Sequence, residues 1–228
     1  MQAIFDMFDE RKSEINLYLS ALIELDQNSH NNDTGLRYFD NDFLKILKAN
    51  TLVMVYNLVE STVMGGILEI YDKLKQEGMT YSDVRSEIQN IWFSYKFKQV
   101  YDEQAHFRSY KGKAQEIVNA IMTGNIIDLD RKATDISGNL DADQIRIVCQ
   151  EHGIRFTTDP GCKGGVALGR VKQDRNNLAH GTSSFAECGR NYSIQDLEGI
   201  ITETVLYLQG LLDGMKQYYD QQLYKAVI

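Results

Sequence analysis

The chain has 228 residues, of which 43% are apolar and 25% charged, and its formal net charge is −8. This length and apolar content suffice to bury a core, which excludes a disordered chain, and the acidity argues against a protein that coats nucleic acid with its whole surface. The longest apolar stretch, 51–64, is interrupted by Asn57, Glu60 and Ser61, so we expect no membrane partner. Residues 1–11 lack a basic-then-apolar signal pattern, which predicts a cytoplasmic protein.

The single proline in the chain, Pro160, favours long helices over a many-turned β-fold. Hydrophobic periodicity predicts one all-α domain over 1–228, a helical bundle with a less regular insertion at about 99–165. The polar segment 26–35 and the glycine-rich segment 153–165 are predicted as loops. In chain order, the predicted helices cover 3–25, 41–75, 82–95, 114–122, 142–152, 166–180 and 193–219.

Local residue chemistry predicts several helix ends. Asp141 and Ser193 are typical N-caps, since their side-chain oxygens can accept from the first free backbone N–H groups. Gly181 suits the position that follows a helix. Inside the second predicted helix, Gly65 and Gly66 indicate either a close packing contact or a kink.

The sequence indicates no metal or cofactor site. Its three cysteines, Cys149, Cys162 and Cys188, are too widely spaced for zinc and are expected to be small, buried or partly buried thiols. We expect His106 and His152 to be helix-end or surface side chains without partners. We expect the side chain of His30, in the polar loop, to be exposed to solvent. The tyrosines near the C-terminus continue an apolar helix face and are predicted to belong to the core or an interface; they are Tyr207, Tyr218, Tyr219 and Tyr224.

The most informative stretch of the sequence is RNNLAHG, residues 175–181. On a helix, Asn176 and His180 lie on one face because they are four residues apart, and the long side chain of Arg175 can curl toward the same place. A guanidinium can hold phosphate oxygens and stabilise charge in a transition state. A histidine can give or take a proton near neutral pH. Together these residue types suit phosphodiester chemistry.

Basic residues concentrate around this stretch. Between 160 and 190 the chain has five basic residues and two acidic ones, a net of +3, which leaves −11 on the remainder. A basic island on an acidic protein indicates a local site for an anion. The candidate phosphate-binding side chains are Lys163, Arg170, Lys172 and Arg190.

Other interpretations of these residues stay open. Short Arg/His patterns are common, and His180 can simply interact with the dipole at a helix end, beside a solvated Arg175. Lys172 and Arg190 fit ordinary exposed side chains as well. Glu60 interrupts an apolar run and needs a partner if it is buried; it either orients the Arg/His site or pairs elsewhere.

The R-x4-H pattern from Arg175 to His180 resembles the defining motif of HEPN domains, helical bundles that include many metal-independent ribonucleases of prokaryotic defence and toxin systems. Further segments resemble the stand-alone nucleases of this group. They are YNLVEST (56–62), NLDADQIR (139–146), the glycine-rich approach to the motif, and HGTSSFAECGRNYSIQDLE (180–198). The resemblance covers most of the chain, although only Arg175, Asn176 and His180 match the catalytic pattern.

The resemblance implies a homodimer in which two R-x4-H motifs form one composite cleft. It implies RNA cleavage through the 2′-hydroxyl, without a metal or cofactor, with His180 as acid or base, Arg175 stabilising charge and Asn176 orienting. A structured RNA such as tRNA is the expected substrate, and an antitoxin or a defence-system protein the expected partner. Some HEPN toxins have a modified tyrosine two residues after the histidine, where this chain has Thr182. The alternative function is a non-catalytic HEPN module that binds RNA or a partner protein, and a third is a structural helical adaptor.

Overall fold

The computed structural model describes residues 1–30, 41–98, 107–134, 136 and 138–226. Within these ranges the regular structure is helical, with no β-strand and two isolated β-bridges. The all-α prediction is confirmed. Short 3₁₀ turns lie at Tyr81–Asp83, Arg131–Ala133 and Pro160–Gly165. The α-helices are α1 (Gln2–His30), α2 (Asn41–Gln76), α3 (Ser86–Lys98), α4 (Phe107–Met122), α5 (Ala142–His152), α6 (Val166–Ala179), α7 (Phe185–Gly189) and α8 (Ile194–Asp220).

Several predicted boundaries differ from the structure. Helix α1 continues to His30, so 26–30 is not the loop that its polar residues indicate, and the remainder of that predicted loop lies outside the described residues. Helix α4 begins at Phe107, well before the predicted start at residue 114. Ser82 lies in a 3₁₀ turn rather than at the start of α3. Helix α7 was not predicted, since five residues are too few to show a helical period.

Helix α2 lies at the centre of the bundle. Helices α1, α6, α7 and α8 all pack against it, and it is buried over most of its circumference, as Leu52, Leu58 and Tyr71 show. Asn57 and Asp72 lie on the remaining, exposed face. Its 36 residues span about 54 Å. Among the described helices, α2 alone is long and apolar enough to cross a membrane by length and composition, a test that core helices of soluble proteins also pass, and 61% of that stretch is buried inside the bundle.

Close packing explains the glycine pair in α2. A Cβ atom on Gly65 would lie 2.3 Å from the Ile4 side chain, and one on Gly66 would lie 2.3 Å from the sulfur of Met215. Helices α1 and α8 therefore approach α2 on two sides at these positions, which is the first of the two predicted roles.

Buried side chains fix α5 against α2 and α8. His152 is the last residue of α5, which confirms the predicted helix-end position. It is 1% exposed and has two hydrogen-bond partners, so the alternative surface position and the expected lack of partners are wrong. Its Nδ1 lies 2.7 Å from the carbonyl oxygen of Val148 and its Nε2 lies 2.7 Å from the Tyr71 hydroxyl. Because a carbonyl only accepts, Nδ1 carries the proton and Tyr71 donates to Nε2. Tyr218 donates to the backbone oxygen of His152.

The burial of His152 predicts a specific acid sensitivity. Burial outweighs the hydrogen bond to Val148 and lowers the pKa of His152 to about 4. The unfolded chain takes up this proton near the ordinary histidine pKa of about 6.5. The stabilisation is therefore complete above that pH and is lost as the pH falls toward 4, by about 3 kcal/mol in total.

Urea unfolding between about pH 7 and pH 4.5 tests this expectation. The free energy of unfolding of the parent should fall more steeply with decreasing pH than that of His152→Gln, whose side chain does not titrate. Equal slopes for the two proteins would contradict the assignment.

Helix α7 is seated directly on α2. A Cβ atom on Gly189 would lie 1.8 Å from the backbone oxygen of Lys45, so only glycine allows this contact. Ser184 and Glu187 form a capping box at the start of α7, with Ser184 N donating to Glu187 at 2.8 Å. These contacts hold the segment that follows α6 against the core.

We expect Gly189→Ala to destabilise the protein by about 2 kcal/mol or more, because backbone must move to admit the methyl group. Gly199→Ala is the matched control, since its Cβ in the interior of α8 would meet no atom within 4 Å. That substitution should stabilise the protein by about 0.5–1 kcal/mol. Thermal unfolding of both variants measures the difference, and a mild effect at Gly189 would show that α7 adapts.

Candidate functional site

The R-x4-H motif occupies the last turns of α6. This helix ends at Ala179, with His180 as its C-cap and Gly181 in the left-handed conformation at φ +68°. The backbone N–H of His180 donates to Asn176 O at 2.9 Å. The imidazole of His180 is exposed, and it forms no hydrogen bond within the described part of the chain. It is thus free to meet another molecule.

Arg175, in contrast, turns inward onto α2. Its guanidinium carbon lies 3.8 Å from the centre of the Tyr56 ring, an arrangement in which the cation is attracted by the ring face. One terminal nitrogen donates to the carbonyl oxygen of Gly138 and lies 3.8 Å from a carboxylate oxygen of Glu60. The Nε atom is buried and has no hydrogen-bond partner among the residues that the structure describes. The side chain is 22% exposed and is held on three sides.

Glu60 lies between two guanidinium groups. One oxygen faces Arg175, and the other accepts a long hydrogen bond from Arg131 at 3.5 Å. The Glu60 side chain is 28% exposed and that of Arg131 is 67% exposed. The structure thus places the carboxylate of Glu60 beside the motif arginine.

Residues before α5 contact the polar face of α6. Asn139 accepts from the amide nitrogen of Asn176 at 2.8 Å, and Asp141 is paired with Lys172. Asp141 also accepts from Gln144 N at 2.9 Å as the N-cap of α5, which confirms the predicted cap. Burial opposes ionisation of Asp141, but the Gln144 bond and the Lys172 ammonium outweigh it and lower its pKa.

Three segments that are distant in sequence therefore meet at one place. Segment 56–60 of α2, segment 138–141 and the motif helix α6 share these contacts, and residues 56–60 and 139–141 belong to the stretches quoted above for the family resemblance. The motif alone does not indicate Tyr56, Gly138, Asn139 or Asp141 as site residues. For Tyr56, Asn139 and Asp141 the available signal is their occurrence in stretches that resemble the family; Gly138 lies just outside them.

The predicted basic island is largely neutralised in the folded chain. Lys163 pairs with Glu203 at 2.6 Å. Arg170 lies 4.3 Å above the Tyr192 ring and donates to its hydroxyl. That hydroxyl donates in turn to Asp174. Tyr192 therefore keeps its proton, because burial and the Asp174 hydrogen bond raise its pKa.

Arg190 differs from the other cations of the island. Its side chain is exposed and makes no hydrogen bond or ion pair with the described residues. The linear count of +3 thus overstates the free positive charge, because acids from α2, α8 and segment 138–141 lie against three of the five cations.

The remaining predicted groups lie outside this cluster. The three cysteines are buried and free, as predicted, and burial raises the pKa of Cys149 to about 12. Across the described residues, no group of three or more His, Cys, Asp or Glu side chains is placed to hold a metal ion. His106 lies outside the described residues.

The arrangement combines two chemical capacities. The exposed imidazole of His180 can exchange a proton with a bound molecule. The guanidinium of Arg175 retains N–H donors beyond the one that binds Gly138, and such donors suit a phosphate. Asn176 donates its amide nitrogen to Asn139, and its side-chain oxygen accepts no hydrogen bond from the described residues.

The helical bundle and the R-x4-H motif at the end of α6 agree with the HEPN resemblance of the sequence. A family model described as HEPN_MAE_28990-like HEPN matches residues 1–224, and the chain belongs to this family. No curated protein and no solved structure matches the chain significantly. HEPN proteins include ribonucleases as well as non-catalytic members.

The double role of Asp141 gives a stability prediction. Asp141→Ala removes both the cap of α5 and the partner of Lys172, and should lower the free energy of unfolding by about 1–2 kcal/mol. Asp141→Asn retains a capping oxygen and should lose less than half as much. Urea unfolding measures both. Equal losses would show that the ion pair with Lys172, rather than the cap, provides the stabilisation.

Proposed function

We propose that this protein is an endoribonuclease that cleaves RNA by attack of the substrate's own 2′-hydroxyl, without a metal. The observation that carries the proposal is the contrast within the motif. Arg175 and Asn176 are fixed by contacts from other segments, while the imidazole of His180 is exposed and unbonded. A fixed cation and an available acid/base group suit phosphoryl transfer.

The proposed reaction proceeds in one balanced step. A neutral His180 accepts the proton of the 2′-hydroxyl, whose oxygen forms a bond to phosphorus. The bond from phosphorus to the 5′-oxygen breaks, and a protonated His180 of a second protomer supplies the proton that this oxygen needs. The products are a 2′,3′-cyclic phosphate and a 5′-hydroxyl. Arg175 stabilises the charge on the phosphoryl oxygens, and Asn176 orients the reacting groups.

Two histidines in opposite protonation states require two copies of the motif. The proposal therefore includes a homodimer in which both motifs face one phosphate. A structured RNA such as tRNA is the proposed substrate, and the proposed setting is cytoplasmic phage defence or toxin–antitoxin biology with an antitoxin or defence-system partner. Because the second residue after His180 is Thr182, the proposal does not include regulation through a modified tyrosine at that position.

The second candidate is a non-catalytic module that binds RNA or a protein. The neutralised basic island favours it, because Lys163 and Lys172 are already paired with acids and Arg175 faces Glu60. This function predicts that binding of RNA or of a partner protein survives loss of Arg175 and His180, and it predicts no cyclic phosphate product.

The test is to incubate the purified protein with total RNA in the presence of a chelator and to sequence the new ends. We expect ends that carry cyclic phosphates. Arg175→Ala and His180→Ala should each lower the cleavage rate by about a hundredfold or more. Arg155→Ala, which removes an exposed arginine outside the cluster, is the control and should retain the parent rate.

Each variant must remain folded and keep the oligomeric state of the parent, checked by circular dichroism and light scattering. A folded Arg175→Ala or His180→Ala that cleaves at the parent rate would falsify the nuclease assignment to this site. RNA binding without any cyclic phosphate product would instead support the non-catalytic module.

A further inference from the structure

The contacts around Arg175 form a positioning device. We infer that Tyr56 and residues 138–141, here called the cradle, hold Arg175 and Asn176 in the geometry that the phosphodiester requires. The inference rests on the proposed function, since it assigns these residues a role in the same site. None of them needs to touch the substrate; they act through the two motif side chains.

Tyr56 is the base of the cradle. It is 1% exposed, and the face of its ring carries the guanidinium of Arg175 at 3.8 Å. Its hydroxyl accepts from the backbone N–H of Leu140 at 3.1 Å. The buried side chain of Tyr56 on the central helix therefore contacts both Arg175 and segment 138–141.

Segment 138–141 is the side of the cradle. The carbonyl oxygen of Gly138 accepts from Arg175, and a Cβ atom on Gly138 would lie 3.4 Å from the same nitrogen. Gly138 has φ +74°, a conformation that glycine adopts without strain. Leu140 is 3% exposed and anchors the segment in the core, so the carbonyl group is presented from a fixed position.

Asn139 and Asp141 extend the cradle along α6. Asn139 fixes the amide of Asn176, and Asp141 holds Lys172 one turn earlier. Three polar side chains of α6 are thus fixed from one short segment. Such anchoring lowers the cost of ordering the site when substrate binds, and small displacements of fixed groups cost catalytic rate steeply.

The cradle leaves the working atoms of the motif available. Its contacts with the Arg175 guanidinium engage one terminal nitrogen, which donates to Gly138, and one face, which lies on the Tyr56 ring. The other terminal nitrogen has no hydrogen bond to the described residues. The cradle uses the amide nitrogen of Asn176, whose side-chain oxygen accepts no hydrogen bond from the described residues. These contacts therefore favour a positioning role over a blocking one.

Matched pairs of variants test the inference. Tyr56→Phe keeps the ring face and loses only the hydroxyl, whereas Tyr56→Leu loses both. Asn139→Ala removes the acceptor of Asn176 from an exposed position that cannot unfold the core. Its control is Asn125→Ala, which removes an equally exposed asparagine whose Oδ1 accepts from Thr123 at 3.0 Å. Tyr218→Leu controls for the loss of a buried tyrosine elsewhere.

The measurement is kcat and KM on a labelled tRNA transcript, normalised to folded protein by circular dichroism. We expect Tyr56→Leu to lower kcat about tenfold or more relative to Tyr56→Phe, and Asn139→Ala to lower it about threefold or more relative to Asn125→Ala. KM should change little. Tyr218→Leu should lower the unfolding temperature while retaining kcat.

Two kinetic results would each overturn the inference. One is a kcat for Asn139→Ala equal to that of Asn125→Ala. The other is a kcat for Tyr56→Leu equal to that of Tyr56→Phe. Arg175→Ala and His180→Ala are assayed in parallel to separate this inference from the proposed function. If these two variants are inactive and the cradle variants keep the parent kcat, the inference fails and the proposed function stands. If the two variants are fully active, the proposed function fails.

A spectroscopic measurement tests the cradle independently of activity. A proton above an aromatic face is shifted upfield, so the Nε–H resonance of Arg175, assigned with Arg175→Lys, should be displaced in the parent and in Tyr56→Phe. It should return to the ordinary arginine range in Tyr56→Leu. An ordinary resonance in the parent protein would show that the guanidinium is not held on the ring, and would overturn the inference even if no RNA is cleaved.

Discussion

The burial of most of α2 among its neighbouring helices is the constraint on which the rest of the structure depends. Such a helix offers many of its polar side chains little water, so the larger ones on its buried side are satisfied by partners from neighbouring elements. Tyr56 finds the backbone of Leu140, and Glu60 finds the guanidinium groups of Arg131 and Arg175. The polar residues of the core helix thereby determine where α6 and segment 138–141 must lie. The site therefore lies where polar side chains of the core helix meet their hydrogen-bond and ion-pair partners.

Charge in this protein is arranged in pairs rather than in patches. The acidic balance of the chain suggested that a basic segment would be exposed as a local island. Folding instead brings Glu203, Asp141 and Glu60 against its lysines and its motif arginine. What the site offers to an anion is a small number of oriented donors, and an acidic surface around them disfavours nonspecific adsorption of nucleic acid. Under the proposed function, this arrangement favours selectivity for one RNA phosphate more than a broad cationic surface would.

Those features that follow from local chemistry could be predicted from the sequence. Asp141 and Ser193 cap their helices and Gly181 follows α6, because capping depends on neighbouring backbone groups alone. The long amphipathic helices were also predictable. The extension of α1 to His30 through polar residues and the five-residue α7 were not, since neither shows a hydrophobic helical period. The partners of Arg175 and the burial of His152 depend on residues far away in the chain, and no periodicity indicates such contacts.

The end of α6 divides the R-x4-H motif into a rigid part and a moving part. Arg175 is packed on a ring and bonded to the backbone, so its rotamer is set before any ligand arrives. His180 projects from the cap into solvent, where an imidazole samples its rotamers in picoseconds to nanoseconds. Ordering the motif on a substrate therefore costs side-chain entropy at the histidine alone, of the order of 1 kcal/mol. In the proposed reaction, a motif built in this way separates phosphate binding, for which Arg175 is positioned in advance, from proton transfer, for which the His180 side chain can still reorient.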